Sequence, residues 1–262
     1  MNETILMIHG MWGGAWNWDN YKKFFEARGY GCVVPTLRYH DIDPKGVPDS
    51  RLGTTSLLDY ARDLEAEIAR IPGKPVIMGH SMGGLLAQIL GSRGLAKALV
   101  LLTPAAPAGI MMLKPSVIRS FANIMLKWGF WRKPHRLPFE AAVYAMYHLV
   151  PRQDQRPLYE RLVYESGRAA AEIGFWLLDP TRAAGVDEAK VTCPVLVVGG
   201  GQDRITPPGV TRKIAAKYRA VSTYLELPDH AHWVLGEPGW EKVAQSVANW
   251  LEESRSQTPG DP

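Results

Sequence analysis

The strand-like run Pro75-Val76-Ile77-Met78 passes straight into Gly79-His80-Ser81-Met82-Gly83-Gly84, and then into the helix-like run Leu85-Leu86-Ala87-Gln88-Ile89-Leu90. Few sequence features limit a chain as much. A serine flanked by glycines at G-x-S-x-G spacing, entered from a buried strand and left through a helix, requires a turn so tight that backbone passes close to backbone at Gly79 and Gly83. The Ser81 hydroxyl then stands clear of the sheet at a helix N-terminus, where the positive end of the helix dipole favours a nearby oxyanion. The plainer alternative is a glycine-rich connection with Ser81 as an N-cap. The strand before the motif and the helix after it favour the first reading.

The rest of the chain repeats the alternation. Runs rich in Val, Ile and Leu at 4–8, 32–36, 75–78, 98–102, 194–198 and 223–227 predict about six strands of a mainly parallel sheet buried on both faces. Helical patterns between them fall at 19–28, 56–71, 81–92, 208–218 and 240–253. The fold class is α/β. A chain of 262 residues can bury such a core without disulfides or a structural metal. Its 25 Gly and 20 Pro suit many tight loops at strand ends. Cys32 and Cys193 are too few for a disulfide framework and read as reduced core thiols. One interval breaks the rhythm: 110–185 has no strand-like run and reads as an inserted helical cap, with a stripe of Val117, Ile118, Phe121, Ile124 and Met125 on one helix. The core is then 1–109 and 186–254, and the polar tail 255–262 is expected to fray.

A nucleophilic serine needs a base held in one tautomer by a third group, and donors for the tetrahedral oxyanion. Asp203 follows Gly199-Gly200-Gly201-Gln202 in the loop at the carboxyl end of the fifth strand, where ligand sites of open α/β sheets lie. After the last strand comes Asp229-His230-Ala231-His232-Trp233. No acid occupies the loop after the fourth strand, Leu101-Leu102-Thr103-Pro104-Ala105-Ala106, so Asp203 has no rival there. The first strand ends in His9-Gly10-Met11-Trp12-Gly13-Gly14, a turn that would aim the backbone N–H of Met11, together with that of Met82, at an oxyanion.

With these residues in the chain order Ser, Asp, His, the chain resembles an α/β-hydrolase fold enzyme over essentially its whole length. The opening His9-Gly10-Met11-Trp12-Gly13-Gly14-Ala15-Trp16-Asn17-Trp18 is similar to that of the plant methylesterase and hydroxynitrile lyase group. The resemblance implies a Ser81, His232, Asp203 triad. His232-Trp233 with Glu237 five residues on is similar to the pattern of esterases and carbon–carbon hydrolases of the fold, whereas methylesterases place the histidine directly after an Asp, as His230 is placed here. His232 is favoured and His230 stays open. Hydroxynitrile lyases carry a Thr after the strand-ending His where this chain has Gly10, which argues against lyase chemistry.

The implied reaction is two-step acyl transfer on a small-molecule carboxylic ester, with an apolar aliphatic or aromatic group held under a cap rich in Met and aromatic residues. Trp12, Trp128 and Trp233 are the candidate pocket residues. A carbon–carbon bond hydrolase of the same fold and a receptor-like member with little turnover are the alternatives. No metal, phosphate or nucleotide signature appears, so no cofactor is implied. Net charge is only +4, too small to signal nucleic acid. Between 110 and 139, however, Lys114, Arg119, Lys127, Arg132, Lys133 and Arg136 stand without any Asp or Glu, among Trp128, Phe130 and Trp131. A solvated face is the ordinary reading of such charge, and contact with a membrane surface is the other. With neither a signal-peptide pattern nor an apolar stretch of spanning length, a soluble cytoplasmic protein is expected.

Overall fold

The computed structural model describes residues 3–112 and 114–257. In chain order the strands are β1 (Thr4–Ile8), β2 (Gly31–Val33), β3 (Val76–His80), β4 (Ala98–Leu102), β5 (Pro134–His135), β6 (Glu165–Ser166), β7 (Val195–Gly200) and β8 (Ser222–Leu227). Six of them form one parallel sheet in the order β2-β1-β3-β4-β7-β8, and β5 pairs antiparallel with β6. The helices are α1 (Asp19–Glu26), α2 (Leu57–Ile68), α3 (Met82–Ser92), α4 (Pro115–Met125), α5 (Phe139–Ala142), α6 (Arg152–Glu160), α7 (Gly167–Gly174), α8 (Pro208–Lys217) and α9 (Trp240–Gln257).

Burial explains why these runs become strands. β3, β4 and β7 are buried at every position, so both faces must be apolar and the sequence reads as a continuous hydrophobic run rather than an alternation. The edge strands β2 and β8 are only partly buried. β2 stops at Val33, short of the expected 36, because Pro35 has no N–H to give the ladder. β3 and β7 run two residues further than expected, since His80 pairs with Leu102 and Gly200 with Leu227. α3 is buried all round from Met82 to Gly91, as its uniformly apolar sequence demands. It packs beside α2, while α1 packs beside α9.

The strand order places the site. From β1 the chain goes to β2 on one side and then to β3 on the other, so a crevice opens at the carboxyl ends of β1 and β3. Those ends carry Met11 and Ser81.

Three expectations need correction. The insertion is not purely helical, because His135 pairs with Glu165 and Pro134 with Ser166; strands this short are set by partners far away in sequence and leave no local pattern. Residues 255–257 continue α9, where the Arg255 guanidinium pairs with Glu3 and lies over the Tyr30 ring; positions 258–262 of the expected tail lie outside the described residues. Cys32 and Cys193 are free but only partly buried, and burial pushes each thiol up to about 11.

Buried polar contacts tie the insertion to the core. Glu165 accepts hydrogen bonds from the Tyr60 hydroxyl at 2.7 Å and the Ser166 N–H at 2.6 Å, and pairs with His40 Nε2 at 3.0 Å. His40 Nδ1 donates to the Arg38 carbonyl, so both ring nitrogens act as donors and the ring is an imidazolium. Glu172 accepts from the Ser56 hydroxyl and the Leu57 N–H, which joins the N-terminus of α2 to α7. Burial by itself would lower the His40 pKa, but the Glu165 carboxylate outweighs it and holds the ring above its ordinary 6.5. Burial would likewise raise Glu165, but His40 and the Ser166 and Tyr60 donors hold it below its ordinary 4.5. The neighbouring His9, with its ring 5.2 Å away, is kept neutral by burial, its pKa near 3.

A raised histidine stabilises fully below its unfolded value, and a lowered glutamate fully above its own. The pair therefore contributes most between about pH 4.5 and 6.5, and less as His40 loses its proton above that range. Removing one partner of a buried pair costs about 3–5 kcal/mol. Urea unfolding of Glu165→Ala should show a loss of that order near pH 5.5 and a smaller one near pH 9. Equal losses at both pH values would contradict the assignment of a charged pair.

Candidate active site

Ser81 adopts φ 54° and ψ −120°, a conformation rare for a side chain larger than glycine, and is immediately followed by α3. The glycines around it make this possible. A Cβ on Gly79 would run into the Gly83 carbonyl, and one on Gly83 into the Ile8 carbonyl, in both cases far inside van der Waals contact. The turn is pinned by Ser81 N–H to the Leu102 carbonyl at 3.1 Å and by Ala105 N–H to the Ser81 carbonyl at 2.8 Å. Backbone strain of this kind costs about 1–3 kcal/mol and persists only where the surroundings over-determine it.

Asp203 and His232 meet across the ends of β7 and β8. His232 Nδ1 donates to Asp203 Oδ2 at 2.8 Å, and both side chains are buried. Asp203 also accepts from Ile205 N–H at 2.7 Å, Thr206 N–H at 2.9 Å and the Thr206 hydroxyl at 2.8 Å. Burial alone would raise the Asp203 pKa; His232 and the Thr206 donors outweigh it and hold the carboxyl below the usual range. With Nδ1–H committed to the carboxylate, Nε2 of a neutral His232 keeps its lone pair. His232 and Ser81 line one cavity, together with Met11, Trp12, Phe121 and Trp233. His230 is placed otherwise. Its Nδ1 meets Glu237 Oε1 at 2.9 Å, and Glu237 also accepts from Ala231 N–H.

Two residues without a sequence-derived role hold His232 in place. His80 Nε2 donates to the His232 carbonyl at 2.8 Å, and the Thr103 hydroxyl donates to the same oxygen at 3.1 Å. Burial, and after it the neighbouring His232, push the His80 pKa down to about 3, so this ring stays neutral. Thr206 bridges further: its hydroxyl, with a single proton, lies within hydrogen-bond distance of both Thr103 O and Asp203 Oδ2, the carboxylate being the closer at 2.8 Å. His80 sat inside the serine motif and could have been questioned. Thr103 carried no local signal, because its partner lies 129 residues away in sequence; Thr206 lies three residues after Asp203, but its link to Thr103 spans 103 residues.

Of the other candidate residues, Met82 opens α3 with its side chain buried, and Met11 and Trp12 line the cavity. Trp12 also fastens the insertion: its indole N–H donates to His135 O at 3.1 Å, and its carbonyl accepts from Val163 N–H at 2.8 Å. Trp233 lines the cavity and packs edge-on against His80 and Tyr147. Trp128 does not belong to the pocket. It is 87% exposed, with its ring against Trp131. Asn17, unremarked in the sequence, contributes a buried amide to the cavity wall.

A second cavity, walled by apolar groups such as Met112, Ile124, Ile173 and Trp176, shares Met11 and Phe121 with the first. A larger open groove of about 880 Å³, between Trp131, Phe175 and Leu178, includes none of Ser81, Asp203 or His232. The narrower cavity is the one that holds the Ser81 hydroxyl and the His232 imidazole, with the Asp203 carboxylate behind it. Among the described residues no cluster of His, Cys, Asp and Glu could hold a metal ion. No helix there is long and apolar enough to cross a membrane.

The profile described as alpha/beta hydrolase family matches residues 5–245. The chain belongs to that family. Among similar proteins, the monoacylglycerol lipase of Mycolicibacterium smegmatis is 29% identical, over 95% of this chain and 87% of that protein. Methylesterase 8 of Arabidopsis thaliana is 30% identical over 34% of this chain and 32% of its own length. Among solved structures, a methylesterase from Arabidopsis superposes with a TM-score of 0.71 at 15% identity, covering 95% of this chain and 99% of that one. The monoacylglycerol lipase of Paleococcus ferrophilus gives 0.69 at 20% identity, covering 96% and 94%. At those identities the superpositions speak to the fold, and they agree with the six-stranded parallel sheet of this alpha/beta hydrolase.

The carbonyl of His232 is a point where the geometry can be tested. Thr103→Val removes one of its two donors, and losing a partner from a buried group costs about 1–3 kcal/mol. Denaturant unfolding should show that loss. A stability unchanged within a few tenths of a kcal/mol would mean that the Thr103 hydroxyl does not support His232.

Proposed function

We propose that this hydrolase cleaves carboxylic esters bearing an apolar aliphatic or aromatic group, with Ser81 as nucleophile, His232 as general base and Asp203 as its orienting acid. The observation that carries the reading is the strained Ser81 at the strand–helix junction, sharing one apolar-walled cavity with an imidazole whose other nitrogen is bound to a buried carboxylate. His232 Nε2 takes the hydroxyl proton as Ser81 Oγ attacks the ester carbonyl, and the imidazolium then protonates the departing alkoxide. Water, activated by the same nitrogen, releases the acyl group and returns the proton. Asp203 stabilises the imidazolium from a site where four hydrogen bonds keep it ionised. The N–H groups of Met11 and Met82 hold the oxyanion. Met82 is the first residue of α3, and the first N–H groups of a helix have no acceptor within it.

The interval 110–185 acts in this reading as the cap, contributing Phe121, Met146, Tyr147 and Leu162 to the cavity wall. That wall includes no Lys or Arg among the described residues, which favours a neutral ester over the acidic substrates of a carbon–carbon hydrolase. The relatives named monoacylglycerol lipase and methylesterase support the same bond type.

A panel of nitrophenyl esters tests the proposal. Ser81→Ala and His232→Ala should each lower kcat/KM by at least about a thousandfold, and a fluorophosphonate should label Ser81. His230→Ala should keep activity within several-fold. No Ser81-dependent turnover at any chain length would end the ester reading, and loss with His230→Ala but not His232→Ala would reverse the choice of base. Phe121 stands where the two cavities share a wall, 6.0 Å from the Trp12 ring centroid. Phe121→Ala should join them and move the optimum of kcat/KM toward longer acyl chains. An unchanged chain-length profile would show that the second cavity takes no part.

A further inference from the structure

Among the described residues, every large hydrophobic side chain that stands exposed, apart from Val47, falls between 111 and 178. The most exposed are Trp128 at 87%, Leu126 at 86% and Leu178 at 80%. Most of these side chains adjoin one another. Ile118, Met125 and Phe175 line one cavity, Phe175, Trp131 and Leu178 line the open groove next to it, and Trp128 packs on Trp131 at 5.5 Å. An apolar face of this extent on a water-soluble fold marks a surface built to be covered.

The charge beside it decides by what. Lys127, Arg132 and Lys133 are exposed on the same stretch as Leu126, Trp128 and Trp131, and none of the ion pairs among the described residues involves them. The acids that line the groove are already engaged: Glu172 by Arg168, Ser56 and Leu57, and Asp179 by Thr181 and Ala183. A second copy meeting this face through a two-fold axis would set the same cationic rim against itself. An anionic lipid surface suits both halves of the face, with Leu and Trp entering the interfacial layer and the cations meeting phosphates.

We propose that this face of the insertion docks on the surface of an anionic lipid bilayer, through Leu126, Trp128 and Leu178 with Lys127, Arg132 and Lys133 around them. The docking stands independently of the catalytic reading. Where that reading holds, docking also brings the lipid phase to the face carrying Ile118, Met125 and Phe175, which wall the cavity adjoining the one at Ser81. An ester dissolved in lipid would then reach the serine without crossing water.

Flotation with vesicles of phosphatidylcholine alone, and of phosphatidylcholine with about a third phosphatidylglycerol, tests the proposal on the full chain. The protein should float with the anionic vesicles, and more weakly with the neutral ones and at high salt. The combined variant L126A/W128A/L178A should bind anionic vesicles at least tenfold more weakly, and K127E/K133E should lose the preference for anionic lipid. Both variants alter exposed positions, and unchanged thermal midpoints would certify their folds. Three results would overturn the proposal: no association of the wild-type protein with anionic vesicles, association that the patch variants leave unchanged, or a concentration-dependent dimer on size exclusion that W128A disrupts. The last would assign the face to a second copy.

Discussion

The close approach of backbone to backbone at the end of β3 is the constraint on which the rest of the site depends. Gly83 sits so near the Ile8 carbonyl, and Gly79 so near Gly83, that β1, β3 and the start of α3 are locked together without intervening side chains. Ser81 is forced into positive φ by this contact, and its backbone is then held by Leu102 and Ala105 at the end of β4. The strain at one residue is balanced by hydrogen bonds from the neighbouring strand, and it places the hydroxyl where the strand order opens a crevice. Met11 at the end of β1 and Ser81 at the end of β3 share a cavity because their strands are neighbours in the sheet.

Around that point, Asp203 and the backbone of His232 are held by defined hydrogen-bond partners. Asp203 receives four hydrogen bonds, and the backbone carbonyl of His232 receives two, from His80 and Thr103. A carboxylate so placed stays ionised in spite of burial, and an imidazole so placed has one tautomer and one orientation. The same economy governs the insertion. Glu165 and Glu172 reach from it to His40, Tyr60 and the N-terminus of α2, and Trp12 ties its own loop to His135 and Val163. These contacts fix the wall that Phe121, Met146 and Tyr147 present to Ser81. The inner side of the insertion is therefore specified by polar pairs and the cavity by apolar bulk, while its outer side leaves Leu126, Trp128 and Leu178 in solvent.

The sheet was legible in the sequence because strands buried on both faces are written as uninterrupted apolar runs, and 98–102 was read with the bounds that the structure gives β4. Ends were less legible. Pro35 cut β2 short, while β3 and β7 continued through Gly79-His80 and Gly199-Gly200, where glycine gives no apolar signal but backbone pairing carries on. β5 and β6 left no trace, since a two-residue bridge depends on a partner some 30 residues distant. The apolar stripe of α4 lies on one side of the helix, yet Val117 and Ile124 are buried while Ile118 and Met125 are exposed. Periodicity reports which residues share a face, and what covers that face is decided elsewhere.

Local chemistry by itself determined the turn at Ser81, because only glycine fits where two backbones touch, and it determined the strand ends that would carry Asp203 and the histidines. Only the tertiary structure gave those histidines different partners: His232 meets Asp203, and His230 meets Glu237. The two differ by two positions along the chain, and which of them reaches across the sheet end to Asp203 is a matter of direction, which spacing does not encode. Trp12 and Trp233 went inward and Trp128 outward for the same reason. The burial of an aromatic ring is a property of its neighbours in space, and those neighbours come from the ends of other strands.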